Sequence, residues 1–224
     1  MNRRTETDLR VYTVVDTSVC ALEDAPRIAA LAAAGGSGIV QLRAKRSSTR
    51  DLLAALIATA EALAGRASLV VDDRVDVYLA ARERTEHVHG VHVGQSDLPA
   101  AAVRSLIGPH AVLGLSASTP EQARAAAALL TADGRGVVDH LGVGAVHATP
   151  TKPDTPEPLD YAGVAGVVTA SPLPCVAIGG LSLPDVAGIR SAGAAGMAVV
   201  RAVAGAADPR GAAAELLAAW EAAA

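Results

Sequence analysis

The stretch Ile39-Val40-Gln41-Leu42-Arg43-Ala44-Lys45, followed by residues 49–64 and then by Ser68-Leu69-Val70-Val71, holds the reading on which the fold turns. Two short aliphatic runs flank a segment in which Leu52, Leu53, Leu56, Ile57, Ala60 and Leu63 recur at helical spacing. That spacing lays one apolar stripe along a helix, which Ser48 or Thr49 can cap. A strand, a helix and a second strand joined in this way make a βαβ unit with parallel strands. Working outward, the same alternation repeats, and strands are expected at 10–15, 39–43, 68–71, 90–93, 112–116, 138–142, 175–178 and 197–200. A last helix over 209–223 puts Leu216, Leu217 and Trp220 on one face, with Pro209 in its first turn. Eight units in 224 residues favour an α/β fold of one kind, a single (β/α)8 TIM barrel, over the open doubly wound sheet that similar units also build. No linker or shift in composition divides the chain, so one domain over 1–224 is expected, with 1–8 as a flexible tail.

Hydrophobic residues make up 51% of the chain while Phe is absent and aromatics are 2%, so Ala, Val, Leu and Ile must fill the interior. Parallel strands beneath helices suit that composition. A net charge of −4 offers no general attraction to nucleic acid or to an anionic membrane, so neither is expected as a partner and any anion site must be local. Cys20 and Cys175 stand far apart without CxxC spacing and read as ordinary thiols in a reducing compartment. Residues 1–7 are polar and lack the apolar centre of a signal peptide, and no apolar run reaches membrane-spanning length; a cytoplasmic protein is expected.

In a barrel the chemistry belongs at the carboxyl ends of the strands. Side chains two apart on a strand share a face, so Gln41, Arg43 and Lys45 converge on one spot suited to a polyphosphate. The competing reading is a solvated basic turn. The third strand runs into Asp72-Asp73 and the fourth into Val93-Gly94-Gln95-Ser96-Asp97, which places Asp73 and Asp97 at adjacent strand ends, where they suit magnesium. Each is alternatively a helix cap. Gly179-Gly180 after strand seven and Val200-Arg201 after strand eight fall where barrels hold phosphate on backbone N–H groups, although paired glycines also make plain tight turns. The segment 145–158, rich in Pro and Thr, reads as a loop at the mouth; its Lys152 is either a phosphate ligand or an idle surface lysine. His87, His89 and His92 match no common zinc spacing and read as structural or solvent-facing. No Ser-His-Asp ordering, P-loop or GxGxxG fingerprint occurs.

Taken in order, Gln41-Leu42-Arg43-Ala44-Lys45, Asp72-Asp73-Arg74-Val75-Asp76, Val91-His92-Val93-Gly94-Gln95-Ser96-Asp97, Gly142-Val143-Gly144, Thr149-Pro150-Thr151-Lys152 and Ala177-Ile178-Gly179-Gly180 closely resemble the thiamine phosphate synthase family over nearly the whole chain. The resemblance implies a transferase that joins hydroxymethylpyrimidine pyrophosphate to a thiazole phosphate, with or without a carboxylate on the thiazole. Pyrophosphate departs with the help of Mg2+, leaving a stabilised pyrimidine cation that the thiazole nitrogen attacks. It further implies that Gln41, Leu42, Arg43, Ala44, Lys45, Asp72, Ser116 and Lys152 bind the pyrimidine pyrophosphate, with Arg43, Lys45 and Lys152 stabilising the leaving group. Asp73 and Asp97 would hold the metal. Thr149, Pro150, Thr151, Gly180, Val200 and Arg201 would take the thiazole phosphate. Whether a homo-oligomer forms is left open.

Several positions depart from the family pattern. Asp72 replaces an Asn, Arg201 a Ser, and Ala145 and His147 a Pro and an aromatic residue, while about five extra residues lengthen 81–90. Two rival readings are a thiazole tautomerase-like relative and a noncatalytic regulatory barrel that binds a thiazole phosphate. Retention of Arg43, Lys45, Asp73, Asp97 and Lys152 together favours synthesis.

Overall fold

The computed structural model describes residues 3–148 and 157–223. Its strands are β1 (Val11–Asp16), β2 (Ile39–Arg43), β3 (Ser68–Asp72), β4 (Gly90–Val93), β5 (Val112–Ser116), β6 (His140–Val143), β7 (Cys175–Ile178) and β8 (Gly196–Val199). Each pairs in parallel with the next, and β8 returns to β1 with Val11 opposite Met197, so the sheet closes. The helices that follow are α1 (Ala25–Ala34), α2 (Thr49–Leu63), α3 (Val75–Arg82), α4 (Ala100–Ile107), α5 (Pro120–Ala128), α6 (Asp160–Thr169), α7 (Val186–Ser191) and α8 (Pro209–Ala222). The protein is a single (β/α)8 TIM barrel, and four of the strand bounds coincide with those expected.

Helix α2 shows why the sequence folds this way. Ser48 Oγ accepts a hydrogen bond from the Asp51 N–H at 3.1 Å and caps the helix. Leu52, Leu56, Ala60 and Leu63 are buried against the sheet, each leucine worth roughly 1.5–3 kcal/mol of transfer free energy. The helix stops at Ala64, which takes the left-handed conformation at φ 47°.

Two cores follow from strand alternation. Val11, Val15, Val40, Leu42, Leu69 and Val71 face outward into the layer beneath the helices. Tyr12, Val14, Ile39, Val70, Val112, Val176 and Ala198 face inward and fill the barrel. Strand β6 starts at His140 rather than at Val138, because Val137 turns back, its N–H bonded to Leu129 O at 3.0 Å and its carbonyl accepting from Arg104 at 2.9 Å.

Opposite the mouth, Arg104 is buried and its guanidinium meets Asp139 at 2.8 Å. Within the stretch expected as a tail, Arg3–Glu6 form a helical turn whose Arg4 Nε meets the same Asp139 carboxylate at 2.5 Å. The connection between α3 and β4 lies at this amino-terminal end of the strands, away from the mouth.

Candidate active site

At the carboxyl ends of the strands lies a cavity of about 1060 Å³, lined by Gln41, Arg43, Lys45, Asp72, Asp73, Asp97, Ser116, Gly180, Val200 and Arg201 among others. Thus ten residues singled out from the sequence share one wall system. Leu42 and Ala44 do not: they are 0% and 6% exposed in the layer beneath the helices, because neighbours on a strand point to opposite faces. Thr149, Pro150, Thr151 and Lys152 lie outside the described residues.

The cationic and acidic side chains interlock. Arg43 is paired through Nη1 with Asp16 and lies 3.2 Å through Nε from Asp72 Oδ2. Lys45 is paired with Asp73, with Asp72 Oδ2 at 3.6 Å. Burial, and after it the charge of Asp73, pushes the Asp72 carboxyl up to about 7, against the pull of Lys45 and Arg43. Burial by itself would lower the Lys45 ammonium, but the contact with Asp73 and the charge of Asp72 carry it above its ordinary value.

Asp73 is held in the left-handed region at φ 59°, a conformation that costs a non-glycine residue free energy of order 1 kcal/mol and that a short carboxylate side chain tolerates better than most. Its N–H donates to His92 O at 2.8 Å, tying the end of β3 to β4. Asp97 Oδ2 accepts from the Gly94 N–H at 2.8 Å, which folds the carboxylate back over the turn that follows β4. Among the described residues no group of three His, Cys, Asp or Glu converges as a metal cage. Two carboxylates of a hard donor type on one cavity do fit an ion that takes one or two protein carboxylates and completes its shell with water and phosphate oxygens.

Beneath the charged rim is a polar floor, in which Gln41 and Ser116 were expected from the sequence while Tyr12, His92 and His140 were not. Gln41 Nε2 donates to Tyr12 Oη at 2.9 Å, and His92 Nε2 lies 3.1 Å from Ser116 Oγ. His140 packs 5.8 Å from the His92 ring and 5.9 Å from the Tyr12 ring, and burial drives its imidazole down to about 3, so it stays neutral. Gly114 and Gly142 make room for this pair: a Cβ on Gly114 would come within 2.3 Å of His92 Nδ1. The expectation for the three histidines therefore divides. His87 is exposed, His89 is buried with Nδ1 accepting from Leu69 N–H at 2.9 Å, and His92 turns into the cavity. Asp16 was also missed, although Val14-Val15-Asp16 ends a strand in a carboxylate as Val70-Val71-Asp72 does.

On the far side of the mouth the Gly179-Gly180 turn follows β7 with φ 107° and 70°. A Cβ on Gly179 would meet Ala145 at 2.6 Å, so the segment after β6 lies directly along the turn. Val200 and Arg201 continue the wall beyond β8.

The model of the family described as thiamine monophosphate synthase matches residues 11–203. A thiamine-phosphate synthase of Corynebacterium efficiens is 41% identical over 210 residues, 94% of each chain. One from Laribacter hongkongensis is 41% identical over 213 residues, 94% of this chain and 95% of its own. The solved thiamine phosphate pyrophosphorylase of Pyrococcus furiosus superposes with a TM-score of 0.81 at 28% identity, covering 99% of both chains. With that match and those relatives, the chain belongs to the thiamine monophosphate synthase family.

Proposed function

We propose that this enzyme joins hydroxymethylpyrimidine pyrophosphate to a thiazole phosphate in the cytoplasm, releasing pyrophosphate and giving thiamine phosphate. The observation that carries the reading is the meeting of Arg43, Lys45, Asp73 and Asp97, from three successive strand ends, on the wall of one cavity. A barrel that only bound or isomerised a thiazole phosphate has no use for this second, charged half. The names of the relatives agree.

Each residue has a task in that reaction. Arg43 and Lys45 bind the diphosphate and take up charge as the carbon–oxygen bond breaks, a form of electrostatic stabilisation that costs no reorganisation when the groups are already fixed. Asp16 and Asp72 do that fixing for Arg43. Gln41, Ser116 and the floor below them receive the uncharged pyrimidine ring. The Gly180 turn with the Val200-Arg201 backbone holds the thiazole phosphate, which brings two reactants into one orientation. Asp73 and Asp97 are the residues that would hold Mg2+, whose chemistry is to neutralise the departing pyrophosphate. Lys152, carried over from the family motif, adds a further cation to the same half.

The test supplies both substrates with and without magnesium and measures thiamine phosphate and pyrophosphate together. Equal amounts of the two products, dependent on magnesium, are expected. Binding of thiazole phosphate with neither product would remove the reading, and Lys152→Ala is expected to lower turnover at least about tenfold, as loss of one transition-state charge contact does.

A further inference from the structure

Asp185 ends the short turn Leu183–Asp185 that follows β7, and it is 8% exposed. Its Oδ1 accepts from His147 Nε2 and from Tyr161 Oη, both at 2.7 Å. Its Oδ2 accepts from the Ser182 N–H at 2.8 Å and from Ser182 Oγ at 3.1 Å. One carboxylate therefore gathers the segment after β6, the start of α6 and the loop after β7. These donors hold the Asp185 carboxyl below its ordinary range in spite of its burial, which acts the other way.

The Gly179-Gly180 turn sits inside this clasp. The His147 N–H donates to Gly179 O and the Val146 N–H to Ile178 O, each at 3.0 Å. A Cβ on Gly180 would stand 2.8 Å from the His147 Cβ. Two successive glycines with positive φ have no side chains to hold them in place, so the direction of their N–H groups is set by what packs around them. Gly179, Gly180 and Ser182 line the cavity, whereas His147 and Asp185 stand behind that wall.

We infer that Asp185 is a positioning residue for the thiazole-phosphate half of the site, acting through Ser182 on one side of the glycine turn and His147 on the other; the inference rests on the synthase reading above. Among the described residues, the ion pairs of the diphosphate half join residues of β1, β2 and β3 and the turns after β2 and β3, whereas the hydrogen bonds of Asp185 go to His147, Tyr161 and Ser182.

The experiment compares the full-length wild type with Asp185→Asn and His147→Ala. Asparagine keeps the shape but offers one acceptor oxygen where two are used, and its amide opposes two of the donors. Binding of the thiazole phosphate is measured by calorimetry, the two KM values and kcat by steady-state kinetics, and stability by thermal unfolding. Asp185→Asn is expected to weaken thiazole phosphate binding at least about tenfold, with kcat and the KM for the pyrimidine pyrophosphate within about twofold, the pattern of a lost uniform binding contact. The His147 side chain is 41% exposed, so its removal leaves folding intact, and a shift of about threefold in the same constant is expected. Unchanged binding in both variants, or equal losses for both substrates, would overturn the inference, as would a fall in melting temperature with unaltered binding. Should Asp185→Asn not fold, His147→Ala decides alone. A wild type that binds thiazole phosphate but makes no product speaks against the synthase reading, while the binding ratios still decide the role of Asp185.

Discussion

Arg43 Nε lies 3.2 Å from Asp72 Oδ2 on a guanidinium that Asp16 also engages, so one arginine of the rim is held between a buried carboxylate and a half-buried one. The second carboxylate is the one for which the sequence resemblance leads one to expect an amide. Its surroundings do not favour ionisation, since burial and Asp73 together outweigh the two cations.

Asp72→Asn follows directly from this. The folded carboxyl titrates at about 7, above its ordinary 3.8, so it contributes stability most fully below 3.8 and the contribution is lost as pH rises through about 7. The Asn variant is expected to be more stable than the wild type at pH 8, by about 1–3 kcal/mol, with the difference closing towards pH 5. Urea midpoints at the two pH values check this. Turnover at pH 8 should be equal or better; a collapse would show that the negative charge itself is needed.

Asp73→Asn separates charge from backbone. Asparagine accepts the left-handed conformation at φ 59° as readily as aspartate, so the end of β3 keeps its course and the melting temperature stays close to that of the wild type. Turnover is expected to fall at least about tenfold, and the magnesium concentration for half-maximal rate to rise. A titration of rate against magnesium reads both, and an unaltered curve would remove Asp73 from the proposed metal pair.

His140 predicts a pH limit to stability. Its folded imidazole titrates at about 3 against an ordinary 6.5, so the neutral form is the one the fold accepts. As pH drops from about 6.5 towards 3 the unfolded chain takes up a proton that the folded chain refuses, and stability declines by up to about 1.4 kcal/mol per pH unit. His140→Phe fills the same place beside Tyr12 and should lose this part of the slope. Denaturant unfolding of both proteins between pH 4 and 7 gives the difference.

Arg104 tests the opposite face of the barrel. Its guanidinium donates to Val137 O at 2.9 Å, Ala111 O at 2.7 Å and Gly108 O at 2.9 Å besides pairing with Asp139. Arg104→Met strips three carbonyls and one carboxylate of a donor, and a loss of about 3 kcal/mol is expected, Arg4 retaining part of the pairing. Both KM values should be unaltered at temperatures where the variant is folded.

Much of the mouth is legible in the chain because strand ends carry local signals. Alternation alone puts Gln41, Arg43 and Lys45 on one face and Leu42 on the other. Asp16 escaped notice because its meaning depends on Arg43, which is 27 residues away and reached only through the pairing of β1 with β2. His92 reads as a surface or structural residue when it is weighed with its sequence neighbours His87 and His89, and as a cavity residue once β4 is placed in register with Gly114. His140 carries no signal at all until Gly114 and Gly142 are seen to leave space for a ring.

The order of strands and helices, their amphipathic faces, the caps and the identity of the groups at each strand end belong to the sequence by itself, since each arises from residues within a few positions of one another. Closure of the sheet, with Val11 opposite Met197, brings together side chains separated by the length of the chain. Only the side-by-side pairing of strands within the barrel decided which carboxylate meets which cation, that Asp72 is desolvated enough to resist ionisation, and that Asp185 receives donors from two loops and the start of α6 at once. Desolvation and charge pairing act through space over a few ångströms, and distance through space is what a linear sequence leaves unstated.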